Sequence, residues 1–423
     1  LIPKIQAAPD DFIRTTEERH KIAVQYLWKE LIKRDQIYLG EYAGWYAVRD
    51  EAFYNEKELI NGKAPTGADV EWVTELSYFF RLSAWQDKLL EYYDQNPAFI
   101  APESRRNEVI RFVEGGLNDL SVSRTSFTWG IKVPDDTNHI IYVWLDALTN
   151  YITALGYPHD QSTFQKYWPE AVHVVGKDIL RFHAVYWPAF LMAAGLPLPK
   201  QIFAHGWWTN EGEKISKSLG NTIDPVELVK TFGADTVRYF LLREVPFGQD
   251  GDFSRQHLIN RYNSDLANAY GNLVQRVLSF VHKNCGGVIP ESVDLTSEDQ
   301  TFIEIAQQTL NLLEQNMESL AFHKYAEHVW QLINKANQYI DEQKPWSLKN
   351  TDTARMETIL YVLSEVIRQI AILTQPLLPY ASEKILDQLG ITKEERAFVN
   401  LKDLLKGGIC LPEPKPIFPR LMS

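Results

Sequence analysis

Cysteine is scarce in this sequence, with only Cys285 and Cys410 among 423 residues. Two thiols exclude a disulfide framework and the paired knuckles of a structural zinc site, and they fit a reducing compartment. There is no run of eighteen apolar residues and no basic-then-apolar leader, so no membrane segment is expected and a soluble cytoplasmic protein is, or a mitochondrial matrix one if organellar. Positive charge is in deficit too: 43 basic residues face 55 acidic ones, a formal −12. A global field drawing in membranes or nucleic acid is therefore excluded, and any polyanion must meet local basic patches. Also absent are the glycine spacing of a Walker A loop, a Ser-His-Asp or Cys-His arrangement, internal repeats and low-complexity tracts.

What is present is apolar bulk. Hydrophobic residues make up 45% and aromatics 12%, enough for sizeable cores and, at this length, two to four domains. Residues 15–39 open on a capping-box pattern, Thr15 with Glu18, and repeat Ile22, Tyr26, Leu27 and Ile32 at helical spacing, which predicts an amphipathic helix. From Tyr38 to about Asn118 the texture turns to short alternating aromatic pieces and turn-rich joins, with helical stretches expected around 77–93; this stretch reads as an inserted subdomain. Three apolar runs follow, 139–144, 171–175 and 201–204, each leading through a polar residue or glycine into helical or loop sequence. That rhythm predicts βα units and a parallel sheet. From Asp224 onward helical periods take over. Leu258, Ile259, Tyr262, Leu266, Ala269, Leu273, Val277 and Val281 keep helical spacing up to a Gly286-Gly287 stop, and similar patterns cover 300–320, 324–342 and 354–373. The fold class predicted is an α/β domain with an appended helical bundle, and a Pro-rich tail, 411–419, running extended over its surface.

The sharpest local signal is Lys214-Ile215-Ser216-Lys217-Ser218 between Gly212 and Gly220. Two lysines on a small-residue loop with glycine hinges can close over a triphosphate and neutralise charge as pyrophosphate leaves; lysines that merely solvate a surface turn are the alternative. Trp144, Ala147 and Tyr151 follow an apolar run, and Ile179 and His183 are four apart on the next expected helix. The two sets can converge at the carboxyl ends of neighbouring strands. Such a wall suits a thioether: aromatic faces contact sulfur by roughly 0.3–1.5 kcal/mol each, and a hydroxyl or imidazole N–H can offer it a weak hydrogen bond. Core packing of Trp144 and a satisfied core His183 are the bland alternatives. Asp178, beside Gly176 at a strand end, can accept from a ribose hydroxyl, cap a helix, or do both. On the helix expected over 257–283, Asn272 and Arg276 share a face from which an amide and a guanidinium can reach unstacked base edges. Pro345-Trp346 ends another helix. A solvated Asn/Arg pair and a buried Trp remain the alternatives there.

Residues 214–218 resemble the KMSKS loop of class I aminoacyl-tRNA synthetases, with His205-Gly206-Trp207-Trp208-Thr209 ahead of it as in that class. The stretch Val143-Trp144-Leu145-Asp146-Ala147-Leu148-Thr149-Asn150-Tyr151, then Gly176-Lys177-Asp178-Ile179, and Arg181-Phe182-His183 through Tyr186-Trp187-Pro188 are similar to the amino-acid pocket motifs of methionyl-tRNA synthetases. The similarity runs from about Asp10 to the end with the motifs in order. It implies a class I, Rossmann-like parallel-sheet catalytic domain, an inserted connective subdomain and an all-α anticodon-binding bundle. Boundaries are then expected at 1–37, 38–118, 119–205, 206–256 for the lysine loop and stem-contact region, and 257–423. It implies that L-methionine and ATP with Mg²⁺ form methionyl-adenylate, and that tRNA(Met) accepts the methionyl group. The roles carried over are Lys214 and Lys217 in catalysis; Gly176, Asp178, His205, Lys214, Ser216, Lys217 and Ser218 at ATP; and Trp144 as a mobile lid with Ala147, Tyr151, Ile179 and His183 at methionine, Tyr151 and His183 filling the polar part. Asn272, Arg276 and Trp346, the last within Asp341-Glu342-Gln343-Lys344-Pro345-Trp346, would read the CAU anticodon.

The sequence departs from the family in two places. The HIGH motif and the acidic residue that holds the substrate ammonium are not in it, so the chain as it stands is expected to adenylate poorly. Ala47, in Gly44-Trp45-Tyr46-Ala47-Val48, stands where the zinc-bearing branch places a cysteine, and the insert has no Cys pair, so no structural zinc is expected; with no appended tRNA-binding domain after Pro419, a monomer is expected. Two rivals remain. One is a leucine, isoleucine or valine enzyme, against which the short insert argues, because an apolar pocket alone discriminates by only about 10–200-fold per methylene and those enzymes carry a large editing domain. The other is a non-catalytic tRNA-binding module, for which a retained lysine loop and methionine wall have no use.

Overall fold

The computed structural model describes the chain except residues 48, 50, 51, 55, 127, 217–219, 292, 293, 422 and 423. The chain forms two compact units, one of Pro9–His205 and one of Leu1–Ala8 with Gly206–Ser423. The first eight residues, expected with the catalytic half, thus pack elsewhere: Arg238 Nη1 donates to the Ile5 carbonyl at 2.9 Å.

In the unit Pro9–His205, the helix Glu18–Lys33 buries Ala23, Val24, Leu27, Trp28 and Leu31 in a core shared with Leu145, Leu148 and Ile152 of the helix Val143–Thr153. The Thr15–Glu18 capping box does not form. Glu17 is the N-cap and makes no side-chain cap; its carboxylate takes Arg14 N at 3.0 Å and Arg19 Nε at 2.7 Å instead. The helix ends at Lys33 rather than 39, because the β-prone residues beyond it join an antiparallel ribbon, Ile37–Ala47 against Glu71–Phe80, in register from Ile37↔Phe80 to Tyr46↔Glu71. Ser77, expected in a helix, lies in that ribbon. Its hydroxyl sits 2.6 Å from Ser121 Oγ and donates to Ser123 O at 3.0 Å, and the helix Gln86–Gln95 begins nine residues later.

The parallel sheet is present but small. Gln201–His205 runs between Ile100–Ala101 and Val172–Gly176, parallel to both. The run 139–144 does not join it. Asp136–Ile141 pairs antiparallel with Ser123–Arg124 and Lys132–Val133 in a separate sheet, and Trp144 is already helical. From Ile140 to Leu148 the sequence is apolar with almost no period, so nothing in it separates strand from helix.

In the other unit a three-stranded sheet, with Trp208–Asn210 between Glu213–Lys214 and Gly251–Phe253, precedes the helices. Arg255–Arg261 continues through the π-helical Tyr262–Gly271 into Asn272–Asn284, which stops at Gly286 and Gly287, both at positive φ. Ser297–Glu318 and Phe322–Gln343 pack on Thr353–Thr374, whose residues are buried continuously from Thr358 onward. A helix buried on all sides is the centre of a bundle rather than one of its outer faces. The tail lies along this bundle, with the Tyr262 hydroxyl donating to Pro419 O at 2.8 Å.

Candidate active site and anticodon face

Trp144, Ala147 and Tyr151, all half-buried, lie along one side of Val143–Thr153. After the strand Val172–Gly176 the chain makes a 3₁₀ turn, Lys177–Ile179, and then a π turn, Phe182–Tyr186, a widening that recurs at functional sites. His183 Nδ1 lies 2.9 Å from the Ile179 carbonyl. A carbonyl only accepts, so Nδ1 carries the proton and Nε2 accepts the Tyr151 hydroxyl at 2.7 Å. In this geometry both protons are committed within the protein, so the wall presents ring faces and hydroxyl lone pairs. Burial pushes the Tyr151 phenol up to about 12 and lowers His183, so both groups are neutral near pH 7.

Trp144 stacks on Phe182, with centroids 3.6 Å apart and planes at 11°. Sequence reasoning gave no role to Phe182, nor to His173 and Trp187. His173 is the single polar residue among three valines in Val172–Gly176, and that was the available signal. The Trp187 indole donates to His173 Nε2 at 3.2 Å, and the His173 ring stacks on Tyr151. Tyr151 and His173 also line an open cleft of 740 Å³ with Asp10, Asp11, Tyr167 and Trp168; the other four predicted methionine residues are not in its lining.

The two buried histidines make acid stability testable. Burial takes His173 from an ordinary 6.5 to about 3 and lowers His183 as well. The unfolded chain therefore binds more protons on acidification. The contribution of His173 is present above about pH 6.5 and drains as pH falls toward about 3, at on the order of 1 kcal/mol per pH unit, and that of His183 drains in the same direction. Urea midpoints should fall from pH 7 to pH 5, and by less in His173→Gln; equal slopes in the two proteins would refute the assignment.

His205 lies directly across the parallel pair from Gly176. A Cβ on Gly176 would stand 2.6 Å from Asp178 Oδ1 and 3.9 Å from His205 Cε1. Three of the predicted ATP residues are thus brought together at the carboxyl ends of adjacent parallel strands, the end that binds ligands in open α/β sheets. Gly206 follows because a Cβ there would meet the Gln249 carbonyl at 2.2 Å.

In its own unit the lysine hairpin turns at Glu211 and Gly212, both at positive φ. Asn221, which sequence reasoning missed, staples it: its Oδ1 accepts from Ser216 N at 2.8 Å and its Nδ2 donates to Lys214 O at 3.0 Å. Lys214 is exposed, with Nζ 5.9 Å from the Trp207 ring centroid. Lys217 and Ser218 lie outside the described residues. Among the described residues no trio of His, Cys, Asp or Glu side chains is placed to hold a metal ion, and no helix is long and apolar enough to cross a membrane.

Asn272 opens the helix Asn272–Asn284 and is exposed, one turn before Arg276. Arg276 Nη2 pairs with Asp341 Oδ1 at 2.7 Å, and its guanidinium carbon lies 5.8 Å from the Trp346 ring centroid. Lys344, at positive φ, ends Phe322–Gln343, and Pro345 starts the short turn that leaves the Trp346 indole 46% exposed. The indole is not buried, which removes the alternative of a core tryptophan.

A family model described as tRNA synthetases class I (M) matches residues 2–71 and 57–278, and one described as the anticodon binding domain of methionyl tRNA ligase matches 289–421. The methionine–tRNA ligase of Rickettsia felis is 59% identical across 99% of this chain and 83% of its own length. The chain belongs to the methionyl-tRNA synthetase family. That of Brucella suis is 52% identical across 99% of this chain and 82% of its own length. The solved structure of Mycobacterium tuberculosis methionyl-tRNA synthetase in complex with methionyl-adenylate is 49% identical, covers 99% of this chain and 84% of that one, and superposes with a TM-score of 0.94. The synthetase fold is accordingly a class I α/β catalytic part followed by a helical anticodon-binding part. The rival assignment to a leucine, isoleucine or valine enzyme falls with these matches.

Proposed function

We propose the following residue roles for the methionine–tRNA ligase activity of this chain. Methionine lies against Trp144, Ala147, Tyr151, Ile179 and His183, and the hydrogen-bond chain Tyr151 to His183 to the Ile179 carbonyl is the observation that carries the assignment. That chain fixes the two rings edge to face, at 71° to one another, and polarizable sulfur gains from such ring faces. ATP takes the opposite side: Asp178 accepts from its ribose, Gly176 lets the nucleoside close on the strand end, and His205 stands beside it. Lys214 and Lys217 neutralise the departing pyrophosphate, and Ser216 and Ser218 donate hydrogen bonds to ATP.

The methionine carboxylate attacks the α-phosphorus, the bond to the bridging oxygen breaks, and pyrophosphate leaves with that electron pair. A terminal ribose hydroxyl of tRNA then attacks the activated carbonyl, its proton passes to the departing phosphate, and the bond between carbonyl carbon and phosphate oxygen breaks to release AMP. The first step requires alignment and charge neutralisation rather than a protein base. Mg²⁺, bound with the nucleotide, would offset charge on the phosphates beside the lysine loop. Domain roles follow: Pro9–His205 carries the amino-acid and nucleoside contacts, and the bundle reads the anticodon through Asn272, Arg276 and Trp346.

Pyrophosphate exchange run with each amino acid in turn tests this reading, and methionine alone should support it. Tyr151→Phe, which releases the His183 ring from the hydroxyl that orients it, should raise the KM for methionine about tenfold, with the KM for ATP within about twofold. Exchange driven by another amino acid, or a methionine KM that does not move, would sink it.

A further inference from the structure

We propose that His173 is a positioning residue of the methionine wall: its imidazole holds Tyr151 by stacking and Trp187 by accepting the indole N–H, and so sets where the Tyr151 hydroxyl meets His183. The inference rests on the assignment of Tyr151 to methionine.

The strand Val172–Gly176 alternates, with Val172 and Val174 exposed and His173 and Val175 buried. His173 therefore points into the fold, three residues before the strand delivers Gly176 to the nucleotide edge. Its ring centroid is 3.9 Å from that of Tyr151, with planes at 27°, and the ring of Trp168 stands 5.6 Å away on a tilt. Trp187 Nε1 lies 3.2 Å from His173 Nε2. An indole only donates, so Nε2 accepts and the His173 proton sits on Nδ1. The deep burial that lowers its pKa keeps it in this form across the physiological range. Around it are Tyr151, Trp168, Trp187 and His183, with the His183 centroid at 6.4 Å.

A histidine in such a place costs desolvation that a phenylalanine would not. One buried indole N–H accounts for an acceptor somewhere, but not for an acceptor on the ring that stacks under Tyr151. Both contacts come from one side chain only with a planar group that carries a lone pair at its edge. The consequence is a tyrosine clamped from two directions, by the ring of His173 on its face and by Nε2 of His183 at its hydroxyl. A phenol held in this way meets the thioether without searching rotamers, which is the advantage of a preorganised wall.

Two substitutions separate the contacts. His173→Gln keeps an acceptor and removes the stack; His173→Phe keeps the stack and leaves the indole unpaired. In pyrophosphate exchange, His173→Gln should raise the methionine KM about tenfold with the ATP KM within about twofold and the melting temperature near that of the parent. His173→Phe should lose thermal stability while its methionine KM rises by no more than about threefold. Methionine binding followed by tryptophan fluorescence gives the same ranking without catalysis. A His173→Gln protein with the parental methionine KM, or with methionine and ATP KM rising together, overturns the proposal. Tyr151→Phe is measured alongside. If it loses methionine affinity and His173→Gln does not, the positioning role falls and the wall assignment stands; if neither loses affinity, both fall.

Discussion

Gly176→Ala should reduce pyrophosphate exchange about 100-fold while leaving the protein folded and methionine binding intact. The backbone there is unstrained, with φ at −66°, so alanine is conformationally acceptable and the penalty is purely one of space. The new Cβ stands 2.6 Å from Asp178 Oδ1, far inside contact, and a short carboxylate side chain escapes only by rotating away from the position assigned to the ribose. Asp178 is exposed, so its displacement costs little stability, on the order of 0.5 kcal/mol. What is lost is a hydrogen bond to an ionised group, about 1.5–3 kcal/mol, or roughly 10–150-fold in affinity. The KM for ATP should carry the change and the fluorescence titration with methionine should not. Asp178→Ala should give a similar loss, and the double variant no more than either alone, because both act through one contact. An additive double variant, or a Gly176→Ala protein with parental ATP kinetics, would remove Asp178 from the nucleotide site.

How far the sequence could lead differs between the two units, and the difference has a physical cause. In the bundle the outer helices bury a single stripe, so the 3.6-residue period survives in the chemistry of their residues, and the central helix, buried throughout, is too long an apolar stretch to read as a strand. The helices Ser297–Glu318, Phe322–Gln343 and Thr353–Thr374 therefore fall within three residues of the limits expected from periodicity. In the catalytic unit the same reading slips. The segment around Val143 is apolar in both the strand and the helix that follows it, so the boundary passes unmarked and Trp144 is placed one element too early. Ser77 carries no signal of its own, and its strand is set by backbone pairing with Ile37–Ala47, its hydroxyl meeting those of Ser121 and Ser123 more than forty residues away.

The candidate site shows the same division. Residues inside contiguous motifs, such as Tyr151, His183, Gly176 and Asp178, could be named in advance because the resemblance supplies them in order. Asn221 and His173 could not. Their effect runs through a backbone staple and a ring stack, and neither interaction leaves a pattern in neighbouring residues. The direction of the Tyr151 hydroxyl was likewise beyond the sequence, since it follows from the Ile179 carbonyl fixing which nitrogen of His183 is protonated.

Trp346→Ala and Arg276→Ala should each lower kcat/KM for tRNA by about 5–150-fold, the 1–3 kcal/mol expected for one stacked base, with methionine-dependent pyrophosphate exchange within about twofold of the parent. The separation of the two activities is the diagnostic. Both residues lie in the helical unit, and the half-exposed indole has the open face that a base requires. The Arg276–Asp341 pair has to be weighed against this, because binding must redirect the guanidinium. Its side chains are 33% and 61% exposed, and a pair so open to solvent contributes no more than about 1 kcal/mol. Stacking therefore wins, and the ion pair acts as a holder that presents Arg276 beside the ring. Arg276→Lys should recover only part of the loss, since an ammonium lacks the planar fork that can both face an indole and bond a base edge. Aminoacylation of tRNA(Met), measured against pyrophosphate exchange on the same preparations, decides the matter. If both activities fall together in Trp346→Ala, the indole supports the fold and does not read the anticodon.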